Sequence, residues 1–387
     1  MSVFESLVLY NFIFLTSSFL LYYSEKLKYR FDRRILILIA WLIIVIPAAI
    51  RYNIGVDYRG YVSIYNDIVT KNESYVEPGF KLIITLASYL FNAPEGLFLI
   101  SSILIYTVLF LSYPKKNSYV INYIFIGMFY LLSYTFIRSY IALSFTMLGI
   151  MILIENKRHS TLIYFMLISL AITFHKSAAI LLILPFLNNS FIIGFFKKFS
   201  CIILFSLAIV FIFRFELANL IIKSPVINVL GYEHYLNSPQ YMRVVETGTG
   251  LGILFKMTLL LLPVFFSKKI ISLNKDLCIV IISCFLAFIA LSLGLTYFIF
   301  DRIQYLFFFA YILSPYVLLT LIQIDNLKPI IKLIMSVIFF CVFVLFQKDI
   351  IANQSTFCFG HRVSPYVSIF NKTSDMSLEY NDPSCRI

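Results

Sequence analysis

Five stretches of this chain bring together side chains of the kinds that do chemistry. In Arg51-Tyr52-Asn53-Ile54-Gly55-Val56-Asp57-Tyr58 an acid closely follows an arginine, with Tyr61 and Tyr65 beyond. Gly55 permits a turn, after which Asp57, Tyr61 and Tyr65 share a helix face at spacings of four. One reading is an acid beside an arginine, lined by tyrosines that stack on sugars. The other is an interfacial helix with an aromatic belt. Glu77-Pro78-Gly79-Phe80 opens an apolar run. Proline suits a first helical turn and an acid there complements the helix dipole, so Glu77 reads first as a cap and second as a substrate ligand.

Arg138 separates two apolar runs at a tight hairpin. An arginine so placed is expensive unless it reaches the interface or a partner. Its planar guanidinium matches a diphosphate or a carboxylate in bidentate fashion, and snorkelling is the alternative. His175-Lys176 interrupts apolar sequence in the same way. Histidine can take or give a proton near neutral pH, whereas its bland role here is to cap a helix end. Asp301-Arg302 divides two long apolar runs beside Gln304 and Tyr305, as an internally neutralised pair or as substrate ligands. Lys256, inside an apolar run, either snorkels outward or lends positive potential to a cavity. Residues 216–249 read as a lid or substrate-groove loop, with Tyr232, His234, Tyr235, Tyr241 and Arg243.

These residues need a membrane domain to position them. Of 387 residues 61% are hydrophobic and 13% charged, against about 45–50% and ~25% in soluble domains. A soluble globular fold is excluded, and the mean hydropathy of +0.91 agrees. Thirteen apolar runs are visible, at 3–23, 35–50, 79–91, 96–113, 118–136, 139–154, 161–174, 177–193, 199–215, 250–267, 277–299, 303–320 and 329–347. Lys and Arg collect at 24–34, 115–116, 157–158, 197–198, 268–275 and Lys328, which belong on the cytoplasmic side. Thirteen crossings would invert every basic loop after the first, so one run does not cross. The run 79–91 is the natural choice, about 20 Å of helix at ~1.5 Å per residue against a ~30 Å hydrocarbon core.

The expectation is an all-α, polytopic integral membrane fold with about twelve transmembrane helices and one short interfacial or re-entrant helix. Residues 1–347 form a single transmembrane domain with outer loops 51–95 and 216–249, and 348–387 an extracytoplasmic tail. Both termini, Arg138, His175 and Asp301-Arg302 then share the outer face. The positive-inside rule accounts for the net charge of +12, so no nucleic-acid partner is expected. Cys201, Cys278, Cys284 and Cys341 read as small buried hydrophobes, while Cys358 and Cys385 in the polar tail are placed for a disulfide if it is extracytoplasmic. Residues 3–23 are long enough to span and carry no cleavage site before the basic run.

Phosphate-binding loops, the G-x-S-x-G elbow and H-E-x-x-H are absent, and no Cys or His spacing indicates a metal. Neither a metal nor another cofactor is expected. Instead R-Y-N-I-G-V-D-Y-R-G-Y (51–61), E-P-G-F (77–80), I-R-S-Y-I-A (137–142), F-H-K-S-A (174–178) and D-R-I-Q-Y (301–305) occur in order. That series resembles the EpsG-like group of bacterial surface-polysaccharide polymerases, the Wzy-type O-antigen polymerases. Val56 stands where threonine is common and Ser139 where glutamine commonly follows the arginine. The resemblance implies a multi-pass inner-membrane glycosyltransferase of lipopolysaccharide biosynthesis, joining undecaprenyl-diphosphate-linked oligosaccharides at the periplasmic face. It also implies a glycosyltransferase-C-like plan. The partners would be lipid-linked donor and acceptor, membrane lipids and a chain-length regulator protein. In such a reaction Asp57 or His175 is the base, and Arg51, Arg138 and Arg302 are candidates to bind the diphosphate. Tyr58, Tyr61, Glu77, Lys176, Lys256, Asp301 and Tyr305 complete the candidate substrate contacts. A single-addition lipid-linked glycosyltransferase or O-antigen ligase is the runner-up, and a lipid-linked glycan flippase or transporter is the non-enzymatic rival.

Overall fold

The computed structural model describes residues 1–71, 76–224, 242–245, 250–352 and 362–372. Among these the regular structure is helical, and isolated β-bridges pair Arg51 with Ser368 and Val244 with Tyr297. Five helices are long and apolar enough to cross a membrane: α1 (Val3–Ser24), α2 (Arg30–Ile50), Ile137–Glu155, Lys275–Gly294 and Lys328–Ala352. Four bent pairs raise the number to nine if each is one span. Twelve would require Glu95–Leu111, Ser118–Ser133 and Ser160–Phe174 to cross as well, each at most 17 residues long. Breaks shorten the runs, with bends of 83° at Asn188-Asn189, 73° at Phe213 and 55° at Phe266, just beyond Pro263.

Exposed apolar stripes show what the outer helices face. On α1 the exposed residues include Phe4, Val8, Phe12, Leu15 and Phe19, and on α2 Ile35, Leu38, Leu42 and Ile46. Ile330, Leu333, Val337, Phe340 and Val344 repeat the pattern on Lys328–Ala352. Spacings of three and four put each set on one helix face, and lipid tails are the medium such faces require.

The chain folds as two compact units, Met1–Ile141 with Val342–Ile387, and Ala142–Cys341. In the first unit α1 and α2 are followed by α3 (Tyr58–Lys71), α4 (Pro78–Phe91), α5 (Glu95–Leu111) and α6 (Ser118–Phe125). A π-turn at Ile126–Tyr130 leads to the short α7 (Leu131–Ser133), and α8 (Ile137–Glu155) begins in this unit. The basic loops meet at one end. There Glu25 accepts from the Asn117 and Ser118 amides at 2.9 and 2.7 Å, and Arg33 donates to the Lys115 carbonyl at 2.7 Å.

The opposite end is closed by residues 362–372, expected from sequence as part of a tail outside the transmembrane domain. They are a strap built into the unit. Tyr10 donates to the Val363 carbonyl at 2.6 Å, the Tyr366 amide to Ser6 Oγ at 2.7 Å, and the Tyr366 hydroxyl to the Pro47 carbonyl at 2.8 Å. The Tyr52 amide donates to Val367 at 2.8 Å and the Gly55 amide to Arg362 at 3.3 Å. The helix end of α2 leaves carbonyls that need partners, and Tyr366 at Pro47 and Arg51 at Ala48 supply two of them.

In the second unit Cys278–Gly294 is the most enclosed of the five long helices, 83% of its apolar window being buried. Ala218, Leu293, Ile299 and Phe300 form a buried cluster that seats the helix Phe298–Tyr305. The short segment Arg243–Val245 pairs with Thr296–Phe298 where that helix begins, at 3.0 and 3.1 Å. Part of the expected lid loop is helical instead, at Arg214–Lys223. Tyr232, His234, Tyr235 and Tyr241 lie outside the described residues, as do Cys358 and Cys385. Cys278 and Cys284 are buried and Cys341 half-buried, but Cys201 is exposed on an outward face of its helix, contrary to the reading as a buried hydrophobe.

Candidate functional site

The site in the first unit is made by the turn between α2 and α3. Gly55 has φ +95°, and a Cβ there would stand 2.6 Å from the Tyr134 carbonyl oxygen. Only glycine allows both the left-handed backbone and that approach. With the strap on one flank and Tyr134 on the other, the turn delivers Asp57 half-exposed at the start of α3. Tyr58, Tyr61 and Tyr65 are buried behind it, at 2, 4 and 4% exposure. Tyr58 stacks on Phe98 with ring centroids 4.1 Å apart, and Tyr61 meets Phe80 at 5.5 Å. These rings are engaged with the protein, so none of the three tyrosines presents a free face to a sugar in this state.

Arg138, in the first turn of α8, joins the elements. Its guanidinium donates to Glu77 at 2.7 Å and its Cζ lies 5.9 Å from the Phe80 ring centroid. Arg138 also hydrogen-bonds to the Tyr61 hydroxyl through both backbone and side chain. Its side chain keeps 32% exposure, whereas that of Glu77 keeps 11%. Arg138 therefore has polar partners and an open face, which snorkelling does not describe. Glu77 is the N-cap residue of α4, where an acid complements the helix dipole, but its carboxylate makes no cap hydrogen bond and meets Arg138 instead. A cation within 2.7 Å attracts a carboxylate more strongly than an amide does.

Burial raises the Tyr61 hydroxyl to about 12, opposed by Arg138 and reinforced by Asp57. Tyr61 thus stands neutral between that arginine and that acid at ordinary pH. Burial likewise pushes the Tyr58 hydroxyl up.

Arg51 is placed otherwise than the sequence suggested. It is 2% exposed, directed at the Ala48 carbonyl and at Ser102 Oγ (3.2 Å). Its Cζ lies 4.7 Å from the Tyr134 ring centroid and 5.1 Å from that of Phe98. Aromatic faces and a helix-end carbonyl suit a guanidinium without a counter-ion. So placed, Arg51 holds the turn from beneath and does not open onto a substrate surface. The α4 segment belongs to the same end on both flanks. Glu77 precedes it and pairs with Arg138, and Glu95 follows it and pairs with Lys372, whose ammonium lies 4.9 Å from the Tyr52 ring centroid. Sequence reasoning missed Glu95, Lys372 and the strap, although an aromatic such as Tyr366 in a polar tail was a usable signal.

In the second unit Tyr305 donates to Asp301 Oδ2 at 2.6 Å, and both Lys256 and Arg302 lie close enough to act on Asp301 electrostatically. Gln304 reaches the Tyr311 hydroxyl at 3.3 Å. Asp301 is therefore met by Tyr305 and by two cations, not by Arg302 alone. Lys256 is half-buried and faces this set. His175 is the half-buried C-cap of Ser160–Phe174, with extended backbone, and Lys176 is exposed at the start of the following 3-10 turn. The sequence candidates thus divide into Asp57, Tyr61, Glu77 and Arg138 around one turn, Lys256, Asp301, Arg302 and Tyr305 around another, and the His175 corner. Among the described residues no three His, Cys, Asp or Glu side chains gather as a metal site.

Comparison with known proteins returns one family. Residues 34–373 match the model of the EpsG family, ending one residue past the described strap. No curated protein matches, and no solved structure matches.

Proposed function

The chain belongs to the EpsG family, and on that premise we propose that it is a membrane-embedded polymerase joining undecaprenyl-diphosphate-linked oligosaccharide repeat units, at the periplasmic face of the inner membrane. The observation that carries the reading is Arg138: a partly exposed guanidinium held by Glu77 and by Tyr61, the same tyrosine on which the half-exposed acid Asp57 acts electrostatically. Family membership points to polysaccharide-polymerase chemistry, and such chemistry needs a proton acceptor and an anion clamp.

In the proposed reaction an acceptor hydroxyl attacks the anomeric carbon of the donor sugar. The new glycosidic C–O bond forms as the bond from that carbon to the lipid diphosphate breaks. Asp57 takes the hydroxyl proton. The electron pair of the broken bond stays on the departing diphosphate, whose charge Arg138 meets with its planar fork. Glu77 and Tyr61 fix the guanidinium beforehand, so that little reorganisation accompanies the reaction. Arg51 supports the turn from below. A glycosyltransferase-C-like plan and a chain-length regulator as partner belong to the same proposal. His175 is the alternative base, and Lys256 with Arg302 a second cationic set for substrate.

Extension of a purified lipid-linked repeat unit in vitro tests this. Wild-type protein should make ladders, Asp57→Asn none at matched membrane abundance, and His175→Gln a reduced amount. Ladders of normal intensity from Asp57→Asn eliminate that acid as the base, and the same result from both variants removes the scheme. Single additions by the wild type favour the single-addition transferase instead.

A further inference from the structure

At the end of the first unit remote from Asp57 lies a cleft of about 560 Å³ lined by Arg30, Arg33, Arg34 and Lys115, with Leu21, Ile37, Phe110 and Tyr113 among its other walls. The polymerase reading uses none of these residues. The positive-inside rule accounts for an excess of cations near this end. It does not account for a concavity lined by four of them, three from the start of α2 and one from the loop before α6. Among the described residues none of the four makes an ion pair, and the neighbouring Glu25 is already occupied by Asn117 and Ser118. Arg33 is held by the Lys115 carbonyl, which fixes the cleft's rim, while Arg30, Arg34 and Lys115 are exposed.

Depth and lining identify the ligand chemistry. The 21 residues of α2 measure about 31 Å at ~1.5 Å per residue, close to the hydrocarbon thickness. With Arg51 at one membrane boundary, Arg30 lies at the other, where phospholipid headgroups reside. A free phosphate ion would leave most of 560 Å³ empty. We propose that this cleft binds the phosphodiester headgroup of an anionic phospholipid, the arginines clasping the phosphate while Leu21, Ile37 and Phe110 receive the glycerol and first methylenes. Planar guanidinium groups suit a phosphate, and basic pockets between transmembrane helices are recurring sites for such lipids.

The full-length protein in a neutral detergent, titrated with dioctanoyl phosphatidylglycerol and followed by native mass spectrometry, tests the site. Phosphatidylglycerol should form a saturable one-to-one adduct, and dioctanoyl phosphatidylcholine should bind far more weakly. Arg30→Gln combined with Arg34→Gln should weaken the adduct about thirtyfold, from the loss of two surface cations. Arg33 is left in place because it also holds the Lys115 carbonyl. Should the double variant not fold, Lys115→Gln removes one exposed cation and should weaken binding about fivefold. Equal binding of phosphatidylcholine overturns the proposal, as does unchanged phosphatidylglycerol affinity in a folded variant. Inorganic phosphate displacing the lipid at comparable concentration overturns it too, by assigning the cleft to a soluble anion.

Discussion

Replacing Arg138 by lysine keeps the positive charge and removes the fork. In the structure the guanidinium donates to Glu77 at 2.7 Å, bonds the Tyr61 hydroxyl and still keeps 32% exposure. A lysine ammonium can remain beside Glu77, so the folded protein should persist. It cannot hold Glu77 and Tyr61 while presenting two parallel N–H groups to a diphosphate. The loss amounts to one hydrogen bond to a charged group, about 1.5–3 kcal/mol. At 1.36 kcal/mol per tenfold this corresponds to a fall of about 10- to 150-fold in kcat/KM. Arg138→Ala should also destabilise, by about 2 kcal/mol, because Glu77 is left buried and unpaired; full burial of both partners would make this larger. The assay is the initial rate of extension against donor concentration, normalised to protein inserted in the membrane. A kcat/KM for Arg138→Lys within about twofold of wild type would refute the clamp and leave Arg138 as a brace for Glu77.

Other consequences can be checked on purified protein. Gly55→Ala should lower stability by about 2 kcal/mol or more, through a positive φ and a Cβ driven into the Tyr134 carbonyl, read as a lowered Tm with loss of activity. Tyr366→Ala should cost about 3 kcal/mol, since that ring is buried against Tyr10 and its hydroxyl holds Pro47. Lys372→Ala should cost less than about 1 kcal/mol because its pair with Glu95 is exposed, and a larger loss from Lys372→Ala than from Tyr366→Ala would reverse the account of what holds the strap. The Tyr61 hydroxyl binds its proton more tightly folded than unfolded, about 12 against 10, so its contribution is complete below pH 10 and disappears as pH rises through about 12. Tyr61→Phe should therefore flatten the fall in stability across that interval relative to wild type, and identical profiles would contradict the burial of that hydroxyl.

Much of the helical plan was legible because hydrophobicity is local. Long apolar runs, basic loops and the brevity of 79–91 can be read one segment at a time, and so can the turn at Gly55. The number of spans was less legible, since kinks such as those at Asn188-Asn189 and Phe213 divide runs that look continuous in composition. Roles set by distant residues were hidden altogether. Glu77 looks like a cap because proline follows it, and only the arrival of Arg138, 61 positions later, redirects its carboxylate. The strap at 362–372 was missed because its seat is made by Ser6, Tyr10 and Pro47, groups more than three hundred positions away.

Arg51 and Arg138 show why residue type cannot assign such a site by itself. Both follow apolar helix sequence, both lie beside aromatic rings, and both were equal candidates to hold a diphosphate. Their surroundings separate them. Arg51 has its donors turned to Ala48 and Ser102 beneath two rings and retains 2% exposure, so binding an anion there would first require the turn to open. Arg138 is fixed on one side by Glu77 and Tyr61 and left open on the other. A clamp must be restrained enough to be preorganised and exposed enough to be reached. Within this unit Arg138 meets both requirements, and Arg51 supplies the rigidity of the turn that carries Asp57.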